Sequence, residues 1–140
     1  FVNCVVADDV ATARESVRGA AATFARFSAF RGSDLARLPG PLATAARHLR
    51  EHYDMREHTH ADAAHVTGLS SEFLDWFAIA GPASVALERL RALFAIGLEF
   101  LWLVPASTGS RREVVAASLA SLSRDVMPAL RAAPIPPPSV

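Results

Sequence analysis

At 140 residues, 51% hydrophobic and 20% charged, the chain is long enough to bury a core and too apolar to be disordered throughout. Fourteen basic residues cancel fourteen acidic ones, which argues against binding to a nucleic-acid backbone or an anionic membrane. Every basic residue is arginine, so Schiff-base chemistry, a P-loop lysine and a lysine general base are excluded.

The single cysteine, Cys4, cannot form an internal disulfide, and its apolar surroundings predict a buried, inert thiol. No apolar run approaches the roughly 20 residues that span a bilayer. The chain opens on Phe1-Val2-Asn3 with no basic leader, so a cytoplasmic location and a piece cut from a longer polypeptide are expected.

Phe1 to Val6 reads as a strand buried on both faces, and Asp8-Asp9 then supply a helix cap. The helix that follows carries Val10, Ala13, Val17, Ala20, Ala21 and Phe24 on one stripe and is expected to end near Arg31-Gly32. After a loop over 33–40, Pro41 opens a second helix with the stripe Leu42, Ala45, Ala46, Leu49 and Tyr53. Residues 55–68 have no sustained period and predict a loop containing at most one helical turn.

Ser70 and Ser71 cap a short turn through Trp76, and Phe77-Ala78-Ile79-Ala80 reads as a strand stopped by Gly81-Pro82. A helix over 83–96 with inner residues Ala83, Leu87, Leu90 and Phe94 should close at Gly97. Leu98 to Val104 is a continuous apolar strand but for Glu99. Beyond the loop 105–110, one helix carries Val115, Ser118, Leu119, Leu122 and Val126. Residues 132–140, rich in proline, are set apart as an extended tail.

Strands alternating with helices, each strand a continuous apolar run, predict an α/β protein with about three parallel strands and covering helices. Three such strands with helices on one face would leave two edges and one face bare. The expected architecture is therefore part of an eight-stranded (β/α)8 barrel, in which the edges are paired and the inner face is packed.

All five histidines fall between His48 and His65. His48, Glu51 and His52 spell H-x-x-E-H, the ligand and base order of an inverted zinc protease. A third ligand and an orienting carboxylate are not identifiable, so a zinc hydrolase is the remote alternative and no metal is expected. Glu99, Arg111 and Arg112 read as solvated charges.

The segments Val5-Val6-Ala7-Asp8-Asp9-Val10, Tyr53-Asp54-Met55 followed by His58, and Glu72-Phe73-Leu74-Asp75-Trp76-Phe77-Ala78-Ile79-Ala80-Gly81-Pro82, leading into Glu88-Arg89-Leu90 and Gly97-Leu98, together resemble one family. It is the luciferase-like monooxygenases, in particular the branch similar to methylenetetrahydromethanopterin reductase. The resemblance covers roughly residues 1–131 and the C-terminal half of such enzymes.

It implies a TIM barrel that moves hydride or activates oxygen with the deazaflavin coenzyme F-420, or alternatively flavin mononucleotide (FMN), on a small-molecule substrate. Most cofactor contacts in the family come from the N-terminal half, so no catalytic residue is carried over. What this half should supply is a pocket wall from the loops after its strands, with Gly81, Ser84, Ser107 and His58, and then His60, as the candidate contacts. Ala83 and Ser84 stand where the family more often has a second proline and an acidic residue. The expected partner is the missing N-terminal half or another subunit, with a homo-oligomer in view, and a non-catalytic half acting through association is the second reading.

Overall fold

The computed structural model describes residues 1–28 and 35–132. β1 (Val2–Val6) is followed by α1 (Val10–Phe27), α2 (Gly40–His52), α3 (Ser71–Phe77), β2 (Ala78–Gly81), α4 (Ala83–Ala95), β3 (Leu103–Val104), α5 (Arg112–Ser121) and α6 (Met127–Ala132). Short 3-10 turns occupy Leu35–Arg37, Met55–Glu57 and Ala64–Val66, and a π turn over Leu122–Val126 joins α5 to α6.

Local chemistry accounts for these boundaries. The Asp9 carboxylate accepts from the N–H groups of Ala11 and Thr12 and from the Thr12 hydroxyl, capping α1. Ser70 caps α3 by accepting from Phe73 N–H at 3.1 Å. Gly97, at φ +92°, closes α4 with an N–H bond to the Phe94 carbonyl. α1 ends at Phe27, a turn before the expected stop, which at Arg31-Gly32 lies outside the described residues, as do residues 133–140 of the expected tail.

The sheet is α/β, parallel and open, in the order β2-β1-β3. β1 pairs with β2 from Asn3 opposite Ala78 to Val6 opposite Gly81, and with β3 only at Val2–Leu103 and Asn3–Val104. The α/β class with three parallel strands is as expected, and the open sheet departs from a barrel arrangement in two respects. A barrel places consecutive strands side by side, whereas here β1 lies between β2 and β3. The helices also cover both faces. Val5 and Ala78 pack against α1, α2 and α3. On the opposite side Cys4, Val6 and Ile79 pack against Ala86 and Leu90 of α4 and against Leu122 and Val126.

The two differences have one cause. The connection from β1 to β2 steps one way across the sheet and the connection from β2 to β3 steps back past β1. Crossovers of the same right hand that travel in opposite directions put their helices on opposite faces.

The expected strand over 98–104 is reduced to Leu103–Val104. In the parallel register Leu103 opposes Val2 and Val104 opposes Asn3, and residues 98–101 have no strand partner among the described residues. Val2 N–H still reaches the Trp102 carbonyl at 2.7 Å. Ile96, Leu98, Phe100 and Trp102 stand exposed in consequence.

The single helix expected after residue 110 is interrupted, and Pro128 is the reason. It has no N–H for the Arg124 carbonyl and its ring would crowd that carbonyl, so the chain widens into a π turn just ahead of it. The strand expected to begin at Phe77 begins one residue later, because Phe77 still belongs to α3.

Candidate functional site

The carboxyl ends of β1 and β2 lie together. Val6 is opposite Gly81, and Ala7 N–H donates to the Gly81 carbonyl at 2.9 Å. Gly81 is buried with φ +152°, a conformation that side chains disfavour, and this lets β2 turn straight into α4 through Pro82. A cleft of about 480 Å³ opens at this end, with Asp8, Thr12, Glu113, Ser121, Arg124 and Asp125 among its lining residues. Such ends are where open α/β sheets form ligand sites.

The polar groups of the cleft largely engage one another. Ser121 Oγ donates to the Asp125 carboxylate at 2.8 Å, and Arg124 lies 3.7 Å from the same carboxylate. Asp9, at the same end, titrates below its usual range, first because Thr12 donates its hydroxyl to it and then because Ala11 donates its N–H. The floor of the cleft is fixed by Ser118, fully buried, whose Oγ accepts from Val6 N–H at 2.8 Å. That N–H would otherwise look for a strand beyond the end of β3.

The four candidate pocket residues are not brought to one place. Gly81 stands at the cleft. Ser84 is exposed in the first turn of α4, which has no side-chain cap. Ser107 is buried and consumed by the fold. Its N–H donates to the Ser16 carbonyl at 2.8 Å and its Oγ accepts from Ala20 N–H at 3.0 Å. These are the two groups that an α-helix joins to each other, so Ser107 inserts itself into one rung of α1.

His58 belongs to a separate cluster around the end of α2. Its Nδ1 is 2.7 Å from Tyr53 Oη, which is 3.0 Å from Thr23 Oγ1, and that hydroxyl donates to the Gly19 carbonyl at 3.0 Å. Phe27 meets both Tyr53 and His58 edge to face. Behind them His65, 1% exposed, lies tilted against Tyr53 with ring centroids 4.2 Å apart and accepts at Nδ1 from Asp54 N–H at 3.4 Å. Its proton therefore sits on Nε2, which is buried without a partner. Burial is the main cause that holds the His65 ring below its ordinary pKa of 6.5.

His60 lies on the neighbouring loop. Thr59 takes φ +67°, costly for a β-branched residue, and is held there by its hydroxyl contact with Thr108 at 2.7 Å and by the Thr108 N–H bond to its carbonyl. Both carbonyls, of Thr59 and His60, rest on Gly19 in the middle of α1, where a Cβ would come within 2.4 Å of either.

The H-x-x-E-H residues do not converge on a metal. His48 Nε2 donates to the His65 carbonyl and His52 Nδ1 to the His48 carbonyl, the two rings stacking at 4.7 Å. Among the described residues no three histidine, cysteine or carboxylate side chains are grouped to hold a metal ion. Cys4 is buried, as expected, and burial pushes its thiol up to about 11, against a smaller opposing pull from Arg89. Among the described residues no helix is long and apolar enough to cross a membrane.

The clamp on Gly19, the Ser118 bond and the Tyr53–His58–Thr23 chain were not foreseen. A glycine within an alanine-rich helix was the one legible signal among them. No family model, curated protein or solved structure matches the chain.

Proposed function

We propose that the chain is the C-terminal part of a luciferase-like oxidoreductase that transfers hydride between deazaflavin coenzyme F-420, or alternatively FMN, and a small organic substrate. One observation carries the reading. The two segments that most resemble the family, Val5 to Val10 and Glu72 to Pro82, finish side by side at the carboxyl ends of β1 and β2, where α/β enzymes build their pockets. In this reading Gly81 and the turn after it form one wall of the substrate pocket.

The cofactor itself is not held by these residues. The cleft offers the carboxylates of Asp8, Glu113 and Asp125 against the single guanidinium of Arg124. A phosphate-bearing coenzyme needs the opposite balance, so the residues present do not fit it and no step is derived through it. Its contacts belong, in this proposal, to the preceding half of the enzyme.

The proposal also requires β3 to lie beside β2, as consecutive strands do in a barrel. β3 is held to β1 by two residue pairs, but moving it would also break the bonds of Ser107 to α1 and of Thr108 to Thr59, a cost that the exposed run Leu98–Trp102 would offset by gaining a partner. Those exposed residues equally favour the second reading, a non-catalytic half that works by association with another chain or its own copy.

Titration of the parent polypeptide with F-420 and with FMN, followed by their absorbance and fluorescence, is the test. Saturable binding of one of the two is expected. A folded parent that binds neither overturns the oxidoreductase reading and leaves the associating one.

A further inference from the structure

The chain of contacts through Tyr53 has a direction, set by counting protons. Thr23 has one hydroxyl proton and two acceptors in reach, the Gly19 carbonyl and Tyr53 Oη, both at 3.0 Å. If it donates to Tyr53, then Tyr53 donates to His58 and the Thr23 and Gly19 oxygens face each other at 3.0 Å with no hydrogen between them. If it donates to Gly19, Tyr53 has two choices: donating to His58 Nδ1 leaves the Tyr53 and Thr23 oxygens facing each other at 3.0 Å with no hydrogen between them, whereas donating to Thr23 lets Tyr53 accept from His58 Nδ1–H. The last arrangement forms three bonds where each of the others forms two, and leaves no pair of lone pairs opposed. The local geometry supports it, since a threonine hydroxyl bonding back to the carbonyl four residues earlier is a regular helical contact.

From this we infer that neutral His58 is held with its proton on Nδ1 and a free lone pair on Nε2, making it a proton-accepting site for a hydroxyl carried on an apolar ring. Nε2 makes no hydrogen bond among the described residues, and the side chain is only partly covered. Tyr53 and Thr23 are positioning residues that fix the tautomer, as a carboxylate or carbonyl does for other functional histidines. The apolar half of the site is Phe27, whose ring centroid lies 5.7 Å from that of His58 and whose side chain is 58% exposed.

Phe27 is in turn braced edge-on by Tyr53 at 6.1 Å. The tyrosine therefore sets both halves, the direction of the lone pair and the position of the ring. A ligand seated here donates its hydroxyl to Nε2 and lays its ring against Phe27. The site is separate from the cleft at the strand ends and stands whether or not the chain belongs to an oxidoreductase.

Long-range proton–nitrogen NMR of the protein, at a pH where imidazole is neutral, reads the tautomer directly. The wild-type protein should show His58 Nε2 as the unprotonated nitrogen, and Tyr53→Phe, which keeps the ring and removes the acceptor, should move the proton to Nε2. Phenol as the probe should shift the His58 Nε2 signal saturably in the wild type, with the shift lost in Tyr53→Phe. A wild-type His58 protonated at Nε2, a tautomer unchanged by Tyr53→Phe, or a phenol response at Nε2 that is absent from the wild type or equal in both proteins would each overturn the inference. Should Tyr53→Phe fail to fold, Thr23→Val removes the far end of the chain and is expected to weaken the same tautomer preference; no change there would also overturn it.

Discussion

At the scale of single residues, Gly19 shows how a position that looks permissive is the least so. In an isolated helix alanine would be the better residue by about 1 kcal/mol. Here a Cβ would lie 2.3 Å from the His60 carbonyl oxygen, a backbone atom that cannot swing aside. Overpacking costs about 1–3 kcal/mol, and an approach this close to a backbone atom belongs at the upper end, so the clash outweighs the helical gain and Gly19→Ala should lower stability by up to about 2 kcal/mol in urea denaturation. An unchanged or higher midpoint would show that the loop over 59–60 yields. His65 gives a second prediction, with a definite sign. Its folded pKa is lowered, so below the ordinary 6.5 the unfolded chain binds a proton that the folded one refuses. Stability is complete above that value and falls as pH drops through it, levelling off below the folded pKa. Unfolding midpoints measured from about pH 7.5 down to about pH 5.5 should decline, and His65→Gln should flatten that decline. Asp54, held down to about 2 chiefly by the Arg56 side chain, acts in the same direction at lower pH, its contribution to stability being lost as pH falls below its ordinary 3.8. The burial of Cys4 was legible because it lies in a run that is apolar but for Asn3; the role of His65 was not, because nothing in a polar, histidine-rich segment marks which ring turns inward.

At the scale of elements, periodicity located α1, α2, β1, α3, β2 and α4 to within a few residues, because each is bounded by a local signal: Asp9, Pro41, Ser70, Gly81-Pro82 or Gly97. The readings that failed depended on partners distant in sequence. The run from Leu98 to Val104, apolar but for Glu99, makes a strand only where another strand runs beside it, and β1 pairs with Leu103 and Val104. Ser118 shows the converse, a helix supplying what a strand does not. Its hydroxyl meets the N–H at the end of β1, and both groups are buried. Ser118→Ala would leave that N–H without an acceptor, at a cost of about 1–3 kcal/mol. Thermal unfolding should therefore drop by several degrees, with hydrogen exchange accelerated at the Val6 amide in particular. A Val6 amide exchanging as in the wild type would mean that another acceptor takes over.

At the scale of the whole molecule, the α/β class was legible and the strand order was not. Apolar runs identify strands but carry no record of which runs are neighbours, and a sheet in the order β2-β1-β3 has the same sequence pattern as one in chain order. The order has a consequence for the surface. With β3 placed beside the start of β1, Phe1, Ile96, Phe100 and Trp102 are each at least 60% exposed. Phe1 and Phe100 both lie within 6 Å of Trp102, ring to ring, so these three form one aromatic patch. Patches of this kind are uncommon on monomers and mark surfaces that meet another chain. The chain alone should therefore associate as concentration rises, in sedimentation velocity, and Phe100→Lys should shift it toward monomer. Because Phe100 is 71% exposed, the substitution removes no core contact and should alter stability by no more than about 0.5 kcal/mol. The pairing of results decides the matter: lost association with unchanged stability places the contact on this edge, whereas a wild-type chain that stays monomeric at every concentration removes the physical reason for giving β3 a new neighbour.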